Sequence, residues 1–250
     1  MPPGPSSGGR VAPDPDLCGR AQGRASIEGM ATRAWMSWSS GKDSACALQS
    51  VAPDITVTKL LVTVNEDADR VAMHAVRRSL LERQADRLSL PLHVVRIPSP
   101  CPNTVYEDRM KAALDTAAQE GVTAMVFGDL FLQDVRRYRE RVMAPTGIEP
   151  VFPLWSRPTG ELARQMISDG VRAVLTCVDP AQLPPSFVGR AFDQDLLHDL
   201  PSDVDPCGER GEFHTFVWDA PSFRSPIPIR TGERVTRDGF VFCDVLPAEG

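Results

Sequence analysis

The segment Ser37–Ser44, with the sequence SWSSGKDS, joins a short apolar run to a run with helical spacing. The pattern predicts a strand over Ala34–Trp38 and a helix over Lys42–Val51 that ends before Pro53. Small residues at such a turn let backbone N–H groups approach an anion, and the following helix offers unpaired amides and the positive end of its dipole. The segment therefore has the chemistry of a phosphate-binding loop.

Two interpretations of this loop remain open from its residues alone. Its hydroxyl and ammonium groups could bind phosphate, or its serine and aspartate side chains could cap an ordinary helix. The candidate phosphate donors are Ser39, Ser40, Ser44 and Lys42. The loop is not a Walker A motif, because Met36 replaces that motif's first glycine and Asp43 follows the lysine in place of Ser or Thr.

Strands alternate with helices along the chain after this loop. Further strands are predicted at 55–64, 92–97, 123–127 and 171–178, and further helices at 69–88 and 105–119. This alternation predicts an α/β fold with a doubly wound, mostly parallel sheet of the Rossmann-like type. After about residue 150 proline becomes frequent, and strand-like runs occur at 213–218, 227–230 and 235–245, with a hairpin turn at Asp238-Gly239. We therefore predict a smaller C-terminal α+β lobe.

The local composition divides the chain into three segments. Residues 1–29 hold five Pro, six Gly and three Ser, a composition that predicts a disordered tail. Met30 follows this tail and is a candidate start of translation. We predict a nucleotide-binding domain over residues 30–150 and a substrate or acceptor lobe over residues 151–250.

The overall composition excludes several classes of protein. The hydrophobic fraction of 42% and the charged fraction of 24% are those of a globular domain, and no apolar run approaches the ~18 residues that cross a bilayer. A net charge of −6 argues against a general nucleic-acid binder. The six cysteines form no C-x-x-C pair, which argues against a zinc ribbon or an iron–sulfur site. We expect reduced thiols and a cytoplasmic protein.

Two blocks of this sequence resemble those of a known superfamily. Residues 39–44, SSGKDS, resemble the S-G-G-K-D-S loop of the PP-loop ATP pyrophosphatases, the adenine nucleotide alpha hydrolases, and differ only at Ser40. We expect Ser40 to need no positive φ and the loop to keep its function. Residues 207–217, CGERGEFHTFV, resemble the C-G-E-x-G-E-[FY]-H-T-F-V signature of the diphthine–ammonia ligase family. Shorter matches are Phe127–Leu130, Pro153–Trp155 and Gly189-Arg190, so the resemblance runs from Trp35 to about Ile229.

This resemblance implies ATP and Mg²⁺ as cofactors, with cleavage of ATP to AMP and pyrophosphate. The nucleotide contacts it implies are Ser39, Ser40, Gly41, Lys42, Asp43 and Ser44 of the loop, Gly128, and Asn65 near the ribose. Asp43 and Asp129 are candidate Mg²⁺ ligands, because Mg²⁺ prefers oxygen. The alternatives are a helix cap for Asp43 and a turn carboxylate for Asp129.

The candidate catalytic residues are Lys42, Asp129, Glu209, Glu212 and His214. The polar groups of the 207–217 block could orient an acceptor, bind Mg²⁺ or deprotonate ammonium. Without the resemblance, they would be interpreted as exposed polar residues of a hairpin. His74, in the second predicted helix, is a candidate nucleotide or substrate contact, and Cys207 is expected to be a buried structural thiol.

The activity implied by the resemblance is that of an ATP-dependent ligase that adenylates a carboxylate and then amidates it with ammonia. The implied acceptor is diphthine on a translation elongation factor. We expect a homo-oligomer with no membrane partner and no nucleic-acid partner. Two alternatives are a PP-loop enzyme that modifies tRNA and an adenine-nucleotide-binding module without turnover.

Overall fold

The first sheet of the protein is mostly parallel. The computed structural model describes residues 31–71 and 74–248, so the predicted tail at 1–29 and the candidate start at Met30 lie outside the described residues. The strands of this sheet are β1 (Thr32–Ser37), β2 (Ile55–Asn65), β3 (Arg70–Val71), β4 (Leu92–Ile97), β5 (Ala124–Val126) and β6 (Glu149–Val151). Five of them pair in parallel, and β3 pairs antiparallel with the end of β2.

Helices connect the parallel strands, as the alternation in the sequence predicts. Those between strands of the first sheet are α1 (Lys42–Gln49), α2 (Arg78–Leu88), α3 (Asn103–Gln119) and α4 (Gln133–Met143). Helices α5 (Thr159–Ser168) and α6 (Gln194–Asp199) follow β6. Within the described ranges, the helices are all too short or too polar to span a bilayer.

The second sheet is antiparallel and has the strand order β8-β7-β10-β9. Its strands are β7 (Arg172–Val178), β8 (Phe213–Asp219), β9 (Ile229–Arg237) and β10 (Phe240–Pro247). The predicted α/β class, with a mostly parallel sheet and a smaller second lobe, is confirmed. The domain boundary at residue 150 stays a prediction.

The β9–β10 hairpin forms at the predicted turn. Asp238 and Gly239 both have a positive φ, at 53° and 84°, as a two-residue turn that matches the twist of its strands requires. The turn divides the predicted run 235–245 between β9 and β10.

The second predicted helix, over residues 69–88, is wrong at its beginning. Helix α2 begins only at Arg78, and β3 pairs with the end of β2 through Val71 and Val64. Asp69 and Ala75 have left-handed φ values of 47° and 54°, a conformation that a helix interior does not contain. His74 therefore lies before helix α2, not within it.

Strand β1 fixes the position of the loop at residues 37–44. It lies between β2 and β5, and Ala34, Trp35 and Met36 are fully buried, as expected for a strand covered on both faces. Because parallel strands end at the same edge of a sheet, the loop after β1 and the Gly128-Asp129 turn after β5 lie side by side.

Asp244 of β10 connects the two sheets. Its carboxylate accepts hydrogen bonds from Nη1 of Arg70 at 2.9 Å and from Nη2 of Arg77 at 2.5 Å. Burial would raise the pKa of Asp244, but the hydrogen bonds and charges of Arg77 and Arg70 outweigh it and leave that pKa below its ordinary value.

The Asp244→Asn substitution should lower the free energy of unfolding near pH 7 by about 1 kcal/mol, because both ion pairs are lost. A carboxyl group with a lowered pKa stabilises the fold above its unfolded pKa of about 3.9, and this contribution disappears as the pH falls through the folded pKa. Urea unfolding should therefore show a difference that shrinks below about pH 4. Asp238→Asn in the exposed turn is the control. The ion-pair account would be contradicted if Asp244→Asn lowered the free energy of unfolding by the same amount near pH 7 and below about pH 4.

Candidate active site

The loop between β1 and α1 is built around a left-handed serine. Ser40 has a φ of 70°, so the expectation that this position needs no positive φ is wrong. Its carbonyl accepts hydrogen bonds from Val217 N at 3.0 Å and from Gln84 Nε2 at 3.1 Å, which hold the peptide in this orientation. The Ser40 hydroxyl is buried and makes no hydrogen bond within the described part of the chain. The glycine of the related loop would adopt this conformation without a steric penalty.

Gln84 of α2 holds the loop from behind. The side chain is fully buried, and its Oε1 accepts a hydrogen bond from Trp38 Nε1 at 2.9 Å. Its Nε2 donates to the carbonyls of Ser40 and Val217. One amide thus connects the loop, helix α2 and strand β8, and satisfies three buried polar groups that would otherwise be costly.

Strand β8 caps helix α1 from the second sheet. The Lys42 N–H donates to Thr215 Oγ1 at 3.1 Å, which satisfies one of the free amides at the helix N-terminus. Gly41 allows this approach, because a Cβ there would lie 3.0 Å from His74 Cε1 and 3.2 Å from the Thr215 carbonyl oxygen. The loop therefore needs a small residue at position 41 for close packing.

Lys42 has a buried side chain with a complete set of partners. Its Nζ lies 2.9 Å from Asp43 Oδ2, donates to the Cys207 carbonyl, and lies 5.2 Å from the centre of the Phe213 ring. Burial would lower the pKa of Lys42, but the charge of Asp43 leads the effects that outweigh burial and leave that pKa above its ordinary value. The side chain is therefore a cation at neutral pH.

A cavity of about 520 Å³ opens at the carboxyl ends of β1 and β5. It brings together nine of the predicted residues, which are Ser39, Lys42, Asp43, Ser44, His74, Gly128, Asp129, Glu209 and His214. Gly128 permits the tight approach of β5 to helix α1, because a Cβ there would lie 3.0 Å from Ser44 N. The cavity has the size of a small-molecule site and lies where α/β sheets bind ligands.

Four of the predicted residues do not line this cavity. They are Ser40, Gly41, Asn65 and Glu212. The side chain of Asn65 accepts hydrogen bonds from Asp67 N at 2.9 Å and Ala68 N at 3.0 Å, and it lines a second, smaller cavity. The Asn65 side-chain oxygen is therefore already hydrogen-bonded within the turn at the end of β2.

Glu212 shapes the loop of the 207–217 block. The carboxylate is buried and accepts hydrogen bonds from the backbone N–H groups of Asp205 and Arg210, both at 2.9 Å. Asp205 in turn accepts from Cys207 N at 2.9 Å. These bonds hold the Cys207 carbonyl against Lys42 and direct Glu209 to the cavity. Cys207 is buried, and burial raises the pKa of its thiol, as expected for a structural cysteine.

Three carboxylates face the cavity with two cations. Asp129 lies 3.4 Å from Arg139 Nε, and the Arg139 guanidinium lies over the Phe127 ring at 4.8 Å. Glu209 accepts a hydrogen bond from Leu130 N at 2.8 Å. Burial, together with the charges of Asp43 and Asp129, raises the pKa of Glu209 to about 7, so this group exchanges protons near neutral pH.

His74 and His214 face each other beside the cavity. Their ring centres are 4.6 Å apart, and His74 Nδ1 donates to the Thr215 carbonyl at 3.0 Å. Burial lowers the pKa of His74 to about 4, and burial with the nearby His74 and Lys42 lowers that of His214 to about 3. Both rings are neutral at pH 7, which makes His214 a weak base for ammonium.

The acidic groups suit a Mg²⁺ ion that arrives with a nucleotide. Among the described residues, no group of three or more His, Cys, Asp or Glu side chains could hold a metal by itself. Mg²⁺ commonly uses one or two carboxylates together with substrate phosphates and water. Asp43 and Asp129 face the same cavity with side chains 28% and 18% exposed, so these two oxygen donors fit that requirement.

One residue of the site, Gln84, is absent from the predictions made on the sequence. Gln84 falls at an apolar position of the helical pattern formed by Leu80, Leu81 and Ala85, and a polar residue at such a position is a detectable signal. Arg139 belongs to the basic run at residues 136–141, which fits either a solvated helix face or a surface that steers ATP or another polyanion. The structure places Arg139 at the cavity.

The fold and this loop define an α/β protein of the Rossmann-like, PP-loop type. The model of the diphthamide synthase N-terminal domain matches residues 32–150, and that of the C-terminal domain matches residues 159–247. The chain belongs to the diphthamide synthase family.

The chain is also similar along most of its length to several proteins that share the name diphthine–ammonia ligase. A diphthine–ammonia ligase of Danio rerio is 29% identical over 230 residues, which are 83% of this chain and 90% of the relative. Those of Bos taurus and Homo sapiens are 27% and 26% identical, each over 72% of this chain and 73% of the relative.

The Ser40→Gly substitution should raise the free energy of unfolding by about 1 kcal/mol, because it relieves a left-handed side chain and removes a buried, unpaired hydroxyl. Ser50→Gly is the matched control, since Ser50 has a φ of −97° and should lose stability from the greater entropy of glycine in the unfolded chain. Urea unfolding measures both. The account of Ser40 would be contradicted by a Ser40→Gly variant no more stable than Ser50→Gly.

Proposed function

We propose that this protein is an ATP-dependent amide-forming ligase that adenylates a carboxylate, releases pyrophosphate, and amidates the product with ammonia. The acceptor we propose is diphthine, which the names of its relatives contain. The observation that carries the proposal is the helix N-terminus and buried Lys42 at a nucleotide-sized cavity, closed by the strand that bears His214. An elongation-factor partner, cytoplasmic location and homo-oligomeric state stay predictions.

The proposed phosphate site is the N-terminal end of helix α1. Ser39 and Ser44 line the cavity, and the Asp43 and Ser44 amides lie in the first turn, where N–H groups lack intrahelical acceptors. Lys42 supports anion binding chiefly by neutralising Asp43. In this proposal, the loop binds the two outer phosphates and leaves the α-phosphorus facing the acceptor.

The charge balance of the cavity supports a nucleotide that carries a metal ion. Lys42 and Arg139 supply two positive charges, whereas Asp43, Asp129 and Glu209 supply up to three negative ones. Such a cavity would repel a bare tetra-anion. We propose that Asp43 and Asp129 hold Mg²⁺, which when bound supplies positive charge to the leaving pyrophosphate.

The proposed reaction has two balanced steps. An acceptor carboxylate oxygen attacks the α-phosphorus, and the bond to the β-phosphate oxygen breaks, so pyrophosphate leaves with the electron pair. The nitrogen of ammonia then bonds to the acyl carbon, AMP leaves, and the nitrogen loses a proton. Glu209 is the proposed proton acceptor, because its pKa of about 7 lets it exist as a carboxylate at neutral pH and it lines the cavity. Glu212 is a positioning residue in this proposal.

The direct test is the product of ATP in the presence of a diphthine-bearing acceptor and ammonium. We expect AMP and pyrophosphate, separated by chromatography, and a loss of turnover of roughly 100-fold or more in Lys42→Met, because a charge in the phosphate site is removed. Lys111→Met, on an exposed lysine, is the matched control. Release of ADP would overturn the proposal, and nucleotide binding without any AMP would indicate a non-catalytic module.

The proton on Glu209 should control nucleotide affinity when no divalent cation is present. Below about pH 7 this side chain is neutral, and above it the carboxylate repels phosphate, so affinity for ATP should fall roughly tenfold between pH 6 and pH 8 in EDTA. Calorimetric titration of Glu209→Gln controls for the ionisation of ATP itself and should show a smaller fall. Equal slopes in the two proteins would contradict the assigned pKa.

A further inference from the structure

A second cavity lies beside the first, between the end of β2 and the β9–β10 hairpin. Its volume is about 230 Å³, below the range of a site for a whole drug-sized ligand. We call it the side pocket. Its lining includes Asn65 and Arg70 from the first sheet and Cys177, Phe240 and Phe242 from the second. A cavity of this size suits one amino-acid side chain.

The side pocket adjoins the larger cavity. Val71 and His214 line both, so these two side chains form the boundary between them. His214 is a neutral imidazole packed on His74. A group at the inner end of the side pocket would therefore lie next to the cavity of helix α1 without a charged barrier in between.

Aromatic rings form one wall of the side pocket. Phe240 and Phe242 are two residues apart on β10, so they lie on one face of the strand, with ring centres 6.4 Å apart. The Arg237 guanidinium lies 5.2 Å from the Phe242 ring centre, so this ring already attracts a cation. The Arg237 side chain is exposed, and its ion pair with Asp238 is long, at 3.6 Å, so this contact holds the guanidinium on the ring only weakly.

Both guanidinium groups that line the side pocket, those of Arg70 and Arg237, have a carboxylate partner. Arg70 pairs with Asp244 at 2.9 Å, and burial raises the pKa of the Cys177 thiol to about 12, so that thiol is neutral. The pocket thus offers aromatic faces beside guanidinium groups that are already paired, with Asp244 shared between Arg70 and Arg77. Such a surface binds a quaternary ammonium group, which cannot donate hydrogen bonds and is attracted by aromatic faces.

We propose that the side pocket is the acceptor site, and that it binds a side chain in which a quaternary ammonium group lies next to the carboxylate. This proposal rests on the proposed function, because diphthine is by chemical definition a histidine derivative with that pair of groups. The ammonium binds on Phe240 and Phe242, and the carboxylate points past His214 to the α-phosphorus. The acceptor thus enters by the hairpin while ATP occupies the larger cavity.

The probes are glycine betaine and its isostere 3,3-dimethylbutanoate, which keeps the carboxylate but replaces the quaternary nitrogen by carbon and so lacks the positive charge. Their affinities for the full chain, saturated with α,β-methylene ATP, are compared by saturation-transfer NMR of the methyl protons. We expect betaine to bind roughly 3- to 30-fold more tightly than the isostere. Phe240→Leu and Phe242→Leu should abolish this preference, and Phe242→Tyr should retain it.

Phe187→Leu is the matched control, because Phe187 also lies under a guanidinium, that of Arg190 at 4.9 Å, but lines neither cavity. It should keep the betaine preference. Unchanged affinity of each variant for the ATP analogue shows that the fold is intact.

The outcomes separate this proposal from the proposed function. Equal binding of the two probes, or a preference that survives both leucine variants, overturns the side pocket as the acceptor site even if AMP is formed. A Tyr variant that behaves like the Leu variant overturns the role of the aromatic face. With the true acceptor, the leucine variants should raise its KM at least about 3-fold and leave the KM of ATP unchanged. A betaine preference without AMP formation by any acceptor would overturn the proposed function instead.

Discussion

The contact of strand β8 with the loop before helix α1 is the constraint on which the site depends. The Val217 N–H binds the Ser40 carbonyl, and Thr215 Oγ1 accepts the Lys42 N–H, across 173 residues of sequence. Buried backbone groups must be paired, so these bonds fix both the loop and the second sheet. Because His214 directly precedes Thr215, the same contact brings the 207–217 block to the N-terminal end of helix α1.

Lys42 links this contact to the chemistry we propose. A buried ammonium is costly unless it is paired and hydrogen-bonded, and Asp43 with the Cys207 carbonyl meets that need. The bond to Cys207 exists because Glu212 and Asp205 shape the loop that follows β7 and α6. Glu212, a candidate catalytic residue in the sequence, thus helps to position the Cys207 carbonyl. Glu209 is the carboxyl group of this block with a pKa near 7.

Local signals in the sequence predict the strands, the loop and the hairpin turn, because each depends on neighbouring residues. The beginning of α2 is not predicted, since the apolar spacing continues through residues 69–77 while the pairing of Val71 with Val64 prevents a helix. Helices α5 and α6 are not predicted, and α4 is indicated only by the basic run at residues 136–141. The loop residues and Glu209 are identified through the resemblance, but the directions of Asn65 and Glu212 depend on hydrogen bonds to specific backbone groups. Likewise, a sequence pattern cannot show that Ser40 adopts a left-handed conformation, because its carbonyl is held by a hydrogen bond from Val217 of β8.

The central claim is that an acceptor carboxylate meets the α-phosphorus of ATP at the end of helix α1. The most direct measurement uses an acceptor with both carboxylate oxygens replaced by ¹⁸O, followed by mass spectrometry of the nucleotide after one turnover with ammonium. The account predicts AMP that carries one labelled oxygen and an amide that keeps the other. Unlabelled AMP, or label in inorganic phosphate, would contradict it, because the carboxylate would then have reacted at another atom.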